Sequence, residues 1–339
     1  MAENDRLRDA YLWDPAAEPS PEVLAFEDRL AIARFEATRR PLQLAPARTV
    51  AWFRQPVFAF AACLALAIVG FSVTMWWRLS WPSGAAWDVA INRSSGALLR
   101  SQLRPDQRLQ FDAASARVSI ARIGTMQVEP GSALTLLEST SRRHRVLLDR
   151  GAVSVRVWAP PGRFSFSTPA GWVIDMGCVF DLSVDAGGTS RVRVKTGWVQ
   201  LDNGWGESLI PAGASSVMAA SARPGVPVYD DAPPLFAKHV REFERAPDDN
   251  ARAALAGDII RTARTRDVLT LLMLASTVHS GVERPLLERA AQLFPPPTQV
   301  SVEGIVAGDR AQLWRWYGTL DLPPAKSWWR NWRDALPTL

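Results

Sequence analysis

Three carboxylates and one thiol that lie close together in the sequence are the sharpest candidates for catalytic chemistry. Asp175, Asp181 and Asp185 surround Cys178, and a carboxylate beside a thiol could form a nucleophilic site. Asp175 and Asp181 would share one face only if a single uninterrupted strand crossed Gly177. No histidine lies nearby in the sequence to activate the thiol. We therefore interpret the acids as residues on the wet face of strands and Cys178 as a small core residue.

The sequence also lacks the residue patterns that would bind a metal ion or a nucleotide. His144, His239, His279, Cys63 and Cys178 are scattered along the chain. They form no metal-ligand spacing, which excludes a zinc-binding module of the H-x3-C-x2-C kind. The sequence contains no phosphate-binding glycine loop and no nucleophile elbow. We predict that the protein is not an enzyme and uses no cofactor and no metal.

The charge of the chain gives little sign of nucleic-acid binding. The formal net charge is +5 over 339 residues, and the basic residues are spread out without a run of five or six. A surface that binds nucleic acid directly usually shows such a run. We predict no direct contact with nucleic acid.

Residues 57–77 form the element around which the chain is organised. They contain no charged residue and number about 21, enough for a helix to cross a hydrocarbon core about 30 Å thick. Trp76, Trp77 and Trp81 stand where an aromatic belt would meet one membrane surface. A buried core helix rarely stays apolar on every face over this length, and a signal peptide would not follow roughly 55 mixed-charge residues. We predict one transmembrane helix, so the lipid bilayer is a partner.

Basic residues near this helix predict its orientation. The N-terminal side carries four arginines, and a similar distance on the other side carries two: Arg39, Arg40, Arg48 and Arg54 against Arg78 and Arg93. The side richer in arginine is expected to stay in the cytoplasm. We predict a protein of the bacterial inner membrane with its N-terminus in the cytoplasm and its C-terminal part in the periplasm.

The first 55 residues are predicted to be a cytoplasmic helical segment followed by a linker. Ser20 and Pro21 are typical of a helix start, and Val23, Phe26 and Leu30 then recur at helical spacing. A helix this short cannot bury such a face alone, so the face must dock on an earlier helix of the same segment or on a partner. A loosely ordered tail is the alternative. We assign Val23, Phe26 and Leu30 as the partner-binding face.

Residues 107–222 show the pattern of an all-β domain. Short runs alternate apolar and polar residues, as at 153–157, and turn signals such as residues 149–151 and 203–204 separate them. Many short strands at intervals of about ten residues indicate a β-sandwich, roll or solenoid. We interpret residues 78–106, which precede this pattern, as a juxtamembrane linker.

Residues 233–339 are predicted to form an α-helical domain. Asp248 and Asp267 resemble helix caps, and apolar residues follow them at spacings of three and four. The apolar run at 268–275 is too short to cross a membrane. The end of the chain is rich in tryptophan: Trp314, Trp316, Trp328, Trp329 and Trp332. These residues could rest on a membrane surface, but we expect them to pack the helices onto the domain core.

The β region resembles the FecR family of bacterial transmembrane regulators. Residues 145–157, RVLLDRGAVSVRV, are similar to its signature of strand, acidic residue, glycine and strand. Residues 164–184, FSFSTPAGWVIDMGCVFDLSV, are similar to its Thr-Pro and Gly-x-x-Phe core motif. Residues 195–201 and 209–214 resemble the following strand and the closing turn. The matched residues with structural roles are Gly151, Phe164, Gly177, Phe180 and Gly197. We expect the glycines at tight turns or close strand contacts and the phenylalanines in the core.

The resemblance implies partners on both sides of a membrane. In such regulators the cytoplasmic segment binds a sigma factor of the extracytoplasmic-function (ECF) type, and the exported domain receives a signal. The expected partners are therefore a cytoplasmic ECF sigma factor and an unknown envelope protein or ligand. The helical region after the β domain differs from the small mixed α/β subdomain that transporter-coupled members would carry, so no transporter partner is predicted.

The sequence thus predicts a multi-domain, single-pass membrane protein that couples an envelope-side β domain to a cytoplasmic sigma factor. The alternative is an envelope scaffold or binding module with no transcriptional role. Coupling requires a ligand that binds two states with different affinity, and regulated proteolysis or altered oligomerisation are both open as the mechanism. The predicted order is cytoplasmic segment, transmembrane helix, linker, FecR-like β domain and helical domain: residues 1–55, 57–77, 78–106, 107–222 and 233–339.

Overall fold

The computed structural model describes residues 16, 18–33, 56–92, 98–278, 281–322 and 328. The chain divides into two compact units, residues 1–67 and residues 68–339. In the first unit the described residues form helix α1 (Pro21–Leu30), a 3-10 turn (Ala31–Ala33) and the first part of helix α2 (Pro56–Leu79). The second unit contains the end of α2, a β domain and a helical domain.

Between Phe60 and Trp77 helix α2 is apolar on all its faces, and no residue of this stretch is buried. The segment Phe60–Leu79 contains a window of mean hydropathy 1.9, and 0% of that window is buried. By length and composition it is the one helix of the described residues that could cross a membrane. The predicted span of residues 57–77 falls inside α2.

The described part of the second unit contains fifteen strands. They are β1 (Trp87–Asn92), β2 (Leu98–Leu103), β3 (Arg108–Phe111), β4 (Ser115–Ile120), β5 (Gly124–Val128), β6 (Ser132–Ser139), β7 (His144–Val157), β8 (Phe164–Thr168), β9 (Gly171–Asp175), β10 (Val179–Val184), β11 (Ser190–Thr196), β12 (Trp198–Asp202), β13 (Glu207–Pro211), β14 (Ala214–Met218) and β15 (Val228–Tyr229). Apart from the parallel pair β7–β8, neighbouring strands are antiparallel.

Strand β7 joins the two halves of this folded sheet. Its first half pairs with β6 and β8, and its second half pairs with β5 and β10. The buried side chains switch from Val146 and Leu148 to Val153 and Val155, so the inward face changes from even to odd residues. The register shifts opposite Ala133 at the switch, which is how a β-bulge bends a strand. The inward residues of both halves share one core.

Gly151 lies at this bend, inside one continuous strand. Residues 149–151 were predicted to be a turn between two strands, and this prediction is wrong because the bulge lets the strand continue. Gly151 has φ +98°, and a Cβ there would lie 2.4 Å from Cα of Ser132. Glycine is required because the neighbouring backbone leaves no room and the positive φ disfavours other residues.

The β domain begins before residue 107. Strands β1 and β2 lie within residues 78–106, which the sequence analysis assigned to a linker. Strand β1 does alternate, with Trp87 and Val89 buried and Asp88 exposed, whereas β2 is buried only at Leu103 and exposes its other residues partly or fully. A strand held mainly by backbone hydrogen bonds to β1 shows no apolar alternation that a sequence pattern could detect.

The helical domain follows β15 and has a second core. Its helices are α3 (Pro234–Arg245), α4 (Asp249–Thr262), α5 (Val268–Thr277), α6 (Glu283–Leu293), α7 (Val302–Val306) and α8 (Arg310–Tyr317), with a 3-10 turn at Thr265–Asp267. The apolar run at 268–275 is the largely buried helix α5. Trp316 is fully buried in this core, whereas Trp314 is 65% exposed. Trp329 and Trp332 lie outside the described residues.

Candidate functional site at the end of helix α2

The C-terminal end of α2 is bonded to the β domain through Arg122. The Arg122 Nη1 group donates to the carbonyl oxygens of Trp77 and Ser80, at 3.2 and 3.0 Å. In return, Nε of Arg78 donates to the carbonyl oxygen of Arg122 at 3.0 Å. The last carbonyls of a helix lack partners within the helix, and a cation there also favours the helix dipole. These bonds join the helix end to the turn between β4 and β5.

Aromatic rings surround the same two arginines. The guanidinium of Arg122 lies 4.2 Å from the ring centre of Trp77 and 5.3 Å from that of Trp81. The guanidinium of Arg78 lies 5.0 Å from the ring centre of Trp158. Cation–π contacts of this kind contribute roughly 0.5–2 kcal/mol each, more where water is excluded. We call Trp77, Arg78, Trp81, Arg122 and Trp158 the helix–sheet joint.

The β4–β5 hairpin holds Arg122 in place. Ile120 and Ile123 on either side of it are buried, and the Ile123 amide donates to the Ile120 carbonyl at 3.0 Å. Between them Ala121 has φ +46°, a conformation that costs a non-glycine residue on the order of 1 kcal/mol. The two buried isoleucines hold the turn on the core, so the side chain of Arg122 between them lies half-buried against the end of α2.

The predicted motif residues lie beside this joint and in the core. Phe164 and Phe180 are fully buried, and each ring makes an edge-to-face contact with Phe166. Gly177 has φ +85°, and a Cβ there would lie 2.2 Å from Cβ of Trp328. Gly197 lies against Gly177.

Trp328 packs against the joint. Its ring packs edge-on against Trp158 with 4.9 Å between centres, and Gly177 makes room for its backbone and Cβ. Trp316 packs in the core of the helical domain, as expected, whereas Trp328 packs against Trp158.

The structure separates the acidic residues that could have formed a catalytic cluster. The buried Asp175 carboxylate accepts from the amides of Gly177 and Cys178, each at 3.0 Å. The Cys178 thiol donates to the same carboxylate. Asp181 pairs instead with Lys195 at 2.7 Å. Asp185 accepts from backbone amides of the β10–β11 turn.

Helix α1 exposes the face that was assigned to a partner. Phe26 is 62% exposed and Leu30 is 51% exposed, while Val23 is half-buried. No residue of α1 is buried. The earlier helix around residues 7–12, on which this face was expected to dock as one option, lies outside the described residues. Within the described residues, no group of three or more His, Cys, Asp or Glu side chains could hold a metal ion.

Sequence reasoning named Trp77 and Trp81 as an aromatic belt and Arg78 as an orientation signal, but it missed Arg122 and Trp158. Arg122 is one arginine among many, and its neighbours read only as a short strand. Its sole sequence signal is its position between two isoleucines that precede a glycine. Its partners lie more than forty residues earlier, so no local pattern could identify them.

Comparisons with known proteins find a weak structural similarity over part of the chain. No protein-family model matches the chain, and no curated protein matches it. Two crystal structures, at 2.50 and 1.65 Å resolution, are similar to part of the chain, and both are described as "a putative anti-sigma factor from Parabacteroides distasonis ATCC 8503". Their TM-scores are 0.32 and 0.30, at 14% and 13% identity over 40% of this chain. The matched region spans 64% and 65% of those chains. A TM-score of this size does not establish a common fold.

Proposed function

We propose that this protein is a single-pass regulator of the bacterial inner membrane, of the FecR type. Helix α2 would span the bilayer, α1 would lie in the cytoplasm, and the β and helical domains would lie in the periplasm. Two observations support this: the apolar segment Phe60–Leu79 has a window of which 0% is buried by protein, and over similar short distances four arginines precede the predicted span and two follow it.

The cytoplasmic partner we propose is a sigma factor of the ECF type. Helix α1 presents Phe26 and Leu30 to solvent, although large apolar side chains on one helix face normally pack against another surface. Basic and acidic residues flank this face, as in Glu22 and Arg29. The resemblance of residues 145–184 to the FecR motifs supports the choice of a sigma factor.

The observation that carries the proposal is the bonding of Arg122 to the end of α2. A firm connection between the β domain and α2 would let a signal received by the domain act on the helix. Two hydrogen bonds and two cation–π contacts from one arginine supply such a connection. A ligand that binds two states unequally is sufficient to drive the change, whether the change then acts through oligomerisation or through regulated proteolysis.

A pull-down from host lysate with residues 1–55 as bait tests the cytoplasmic part. We expect the wild type to capture a sigma factor and Phe26→Asp to lose it, because a charge would be buried in the interface. Ala25→Asp is the matched control, since it introduces the same charge on another side of the helix and should retain capture. Capture that survives Phe26→Asp would refute the assigned face. Capture of no sigma factor would favour the envelope module instead.

A second experiment tests the topology. A reporter enzyme that is active only after export, fused after Trp81, should be active because the residues after α2 are proposed to be periplasmic. The same reporter fused after residue 40 should be inactive. The reverse pattern would overturn the proposed orientation.

A further inference from the structure

The joint defines where the β domain stands relative to the membrane surface. Trp76 and Trp77, at the end of α2, are 71% and 53% exposed, and exposed tryptophans at the end of a spanning helix lie in the headgroup layer. Arg122 contacts the Trp77 ring at 4.2 Å. If α2 spans the bilayer as proposed above, the β4–β5 turn therefore lies at the level of the lipid headgroups.

The chemistry of Arg122 suits a phosphate at this level. Within the described part of the chain, its contacts are the carbonyl oxygens of Trp77 and Ser80 and the rings of Trp77 and Trp81. No carboxylate is among them. Both hydrogen bonds use Nη1, so Nε and Nη2 are available to an acceptor from another molecule. A guanidinium edge with two free donor groups matches a phosphate bidentately.

We propose that Arg122 binds the phosphate of an anionic phospholipid and so holds the β domain on the membrane surface. Arg78 adds a second positive charge beside it, since its Nε is bonded to the Arg122 carbonyl. The surrounding indole rings favour the same layer, because tryptophan combines an apolar body with a polar N–H. The inference rests on the single-span part of the proposed function, not on the sigma factor.

The test uses the full chain in nanodiscs of phosphatidylcholine, with and without phosphatidylglycerol. Deuterium uptake of backbone amides in residues 118–124 is measured by mass spectrometry, and residues 202–207 in the β12–β13 hairpin serve as the internal reference. One arginine near an anionic surface is worth about a fivefold change in an equilibrium. We expect uptake in the wild-type turn to be about fivefold slower when phosphatidylglycerol is present, and the difference to shrink in high salt.

Three variants separate a lipid contact from a structural one. Arg122→Gln should abolish the difference between the two lipid compositions, whereas Arg122→Lys should keep part of it because the charge remains. Arg117→Gln, an exposed arginine on β4, is the matched control and should keep all of it. A purely structural Arg122 would change uptake equally in both nanodiscs.

Three results would overturn the inference. Equal uptake in both nanodiscs for the wild type would exclude the phosphate contact while leaving the spanning helix intact. A lipid-dependent difference that persists in Arg122→Gln would assign the contact to other residues. A chain that does not enter nanodiscs at all would refute the span, and with it both the inference and the membrane part of the proposed function.

Discussion

Acid should destabilise the β domain through His144, the first residue of β7. This side chain is 3% exposed, and its Nδ1 lies 3.2 Å from Oγ of Ser139, which also accepts from Nε1 of Trp87 at 2.9 Å. The Trp87 ring packs edge-on against the imidazole at 5.7 Å. Burial, together with the nearby Arg163 charge, lowers the pKa of His144 to about 4. The folded protein therefore holds this histidine neutral at physiological pH.

The sign and size of the effect follow from linkage. An unfolded chain protonates this histidine below about pH 6.5, while the folded chain does so only near a pKa of about 4. Stability is therefore fully present above about pH 6.5 and falls as the pH drops through this interval, because the unfolded state binds the extra proton. The loss is about 2 kcal/mol between about pH 7.5 and pH 5, and about 3 kcal/mol when the pH is well below 4.

The assay compares His144→Gln with the wild type at each pH. Urea unfolding of the full chain in detergent is followed by labelling of the Cys178 thiol, which is fully buried in the β core, in a Cys63→Ala background. Labelling of the urea-unfolded chain at each pH corrects for the ionisation of the thiol. Loss of the Trp87 contact should give the variant a constant penalty. In addition, the free energy of unfolding of the variant should rise by about 2 kcal/mol relative to that of the wild type as the pH falls from about 7.5 to 5.

One outcome would refute this reasoning. If the difference in unfolding free energy between variant and wild type stays the same across this pH range, the folded protein must accept a proton at His144 without cost. The desolvation argument would then fail, and the contacts of Trp87 and Ser139 would not keep the imidazole neutral.

Three further predictions concern the helical domain and the β core. Burial raises the pKa of Glu244 to about 7, although the hydrogen bond from the Val226 amide opposes this shift. The folded state therefore binds the extra proton, and the stability of the helical domain falls as the pH rises from about 4.5 to 7. Glu244→Gln should stabilise the helical domain by about 2 kcal/mol more at about pH 7.5 than at pH 5, and an equal effect at both pH values would contradict this. Gly151→Ala should lower the melting temperature far more than Gly162→Ala, because Gly162 has a similar positive φ but open space around it; equal shifts would show that φ alone limits both sites. Phe180→Ala should cost about 3–5 kcal/mol in urea unfolding, since its ring is fully buried, whereas a loss below about 1 kcal/mol would mean that the core refills the cavity.

Local patterns predicted most of the elements. The apolar stretch at 57–77 lies within α2, and the helical domain begins at Pro234, because helix periodicity and proline act over a few residues. Strands such as β10 and β11 follow the alternation expected of half-buried strands. Strand β2 was missed because it lies at an edge and is exposed on both faces. Residues 149–151 carry a turn signal although they form a bulge, because a bulge and a turn use the same residue types.

The amino-acid pattern shows which segments are apolar on all faces, which alternate and which expose one helical face. These properties depend on residues that are close in the chain, so α1, α2 and most of the strands could be predicted. The bonds from Arg122 to the carbonyls of Trp77 and Ser80, and the packing of Trp328 against Trp158 and Gly177, become visible in the folded structure alone. Such contacts join residues that are far apart in the sequence. These contacts form only when the sheet folds around β7, and a short-range sequence pattern does not predict that arrangement.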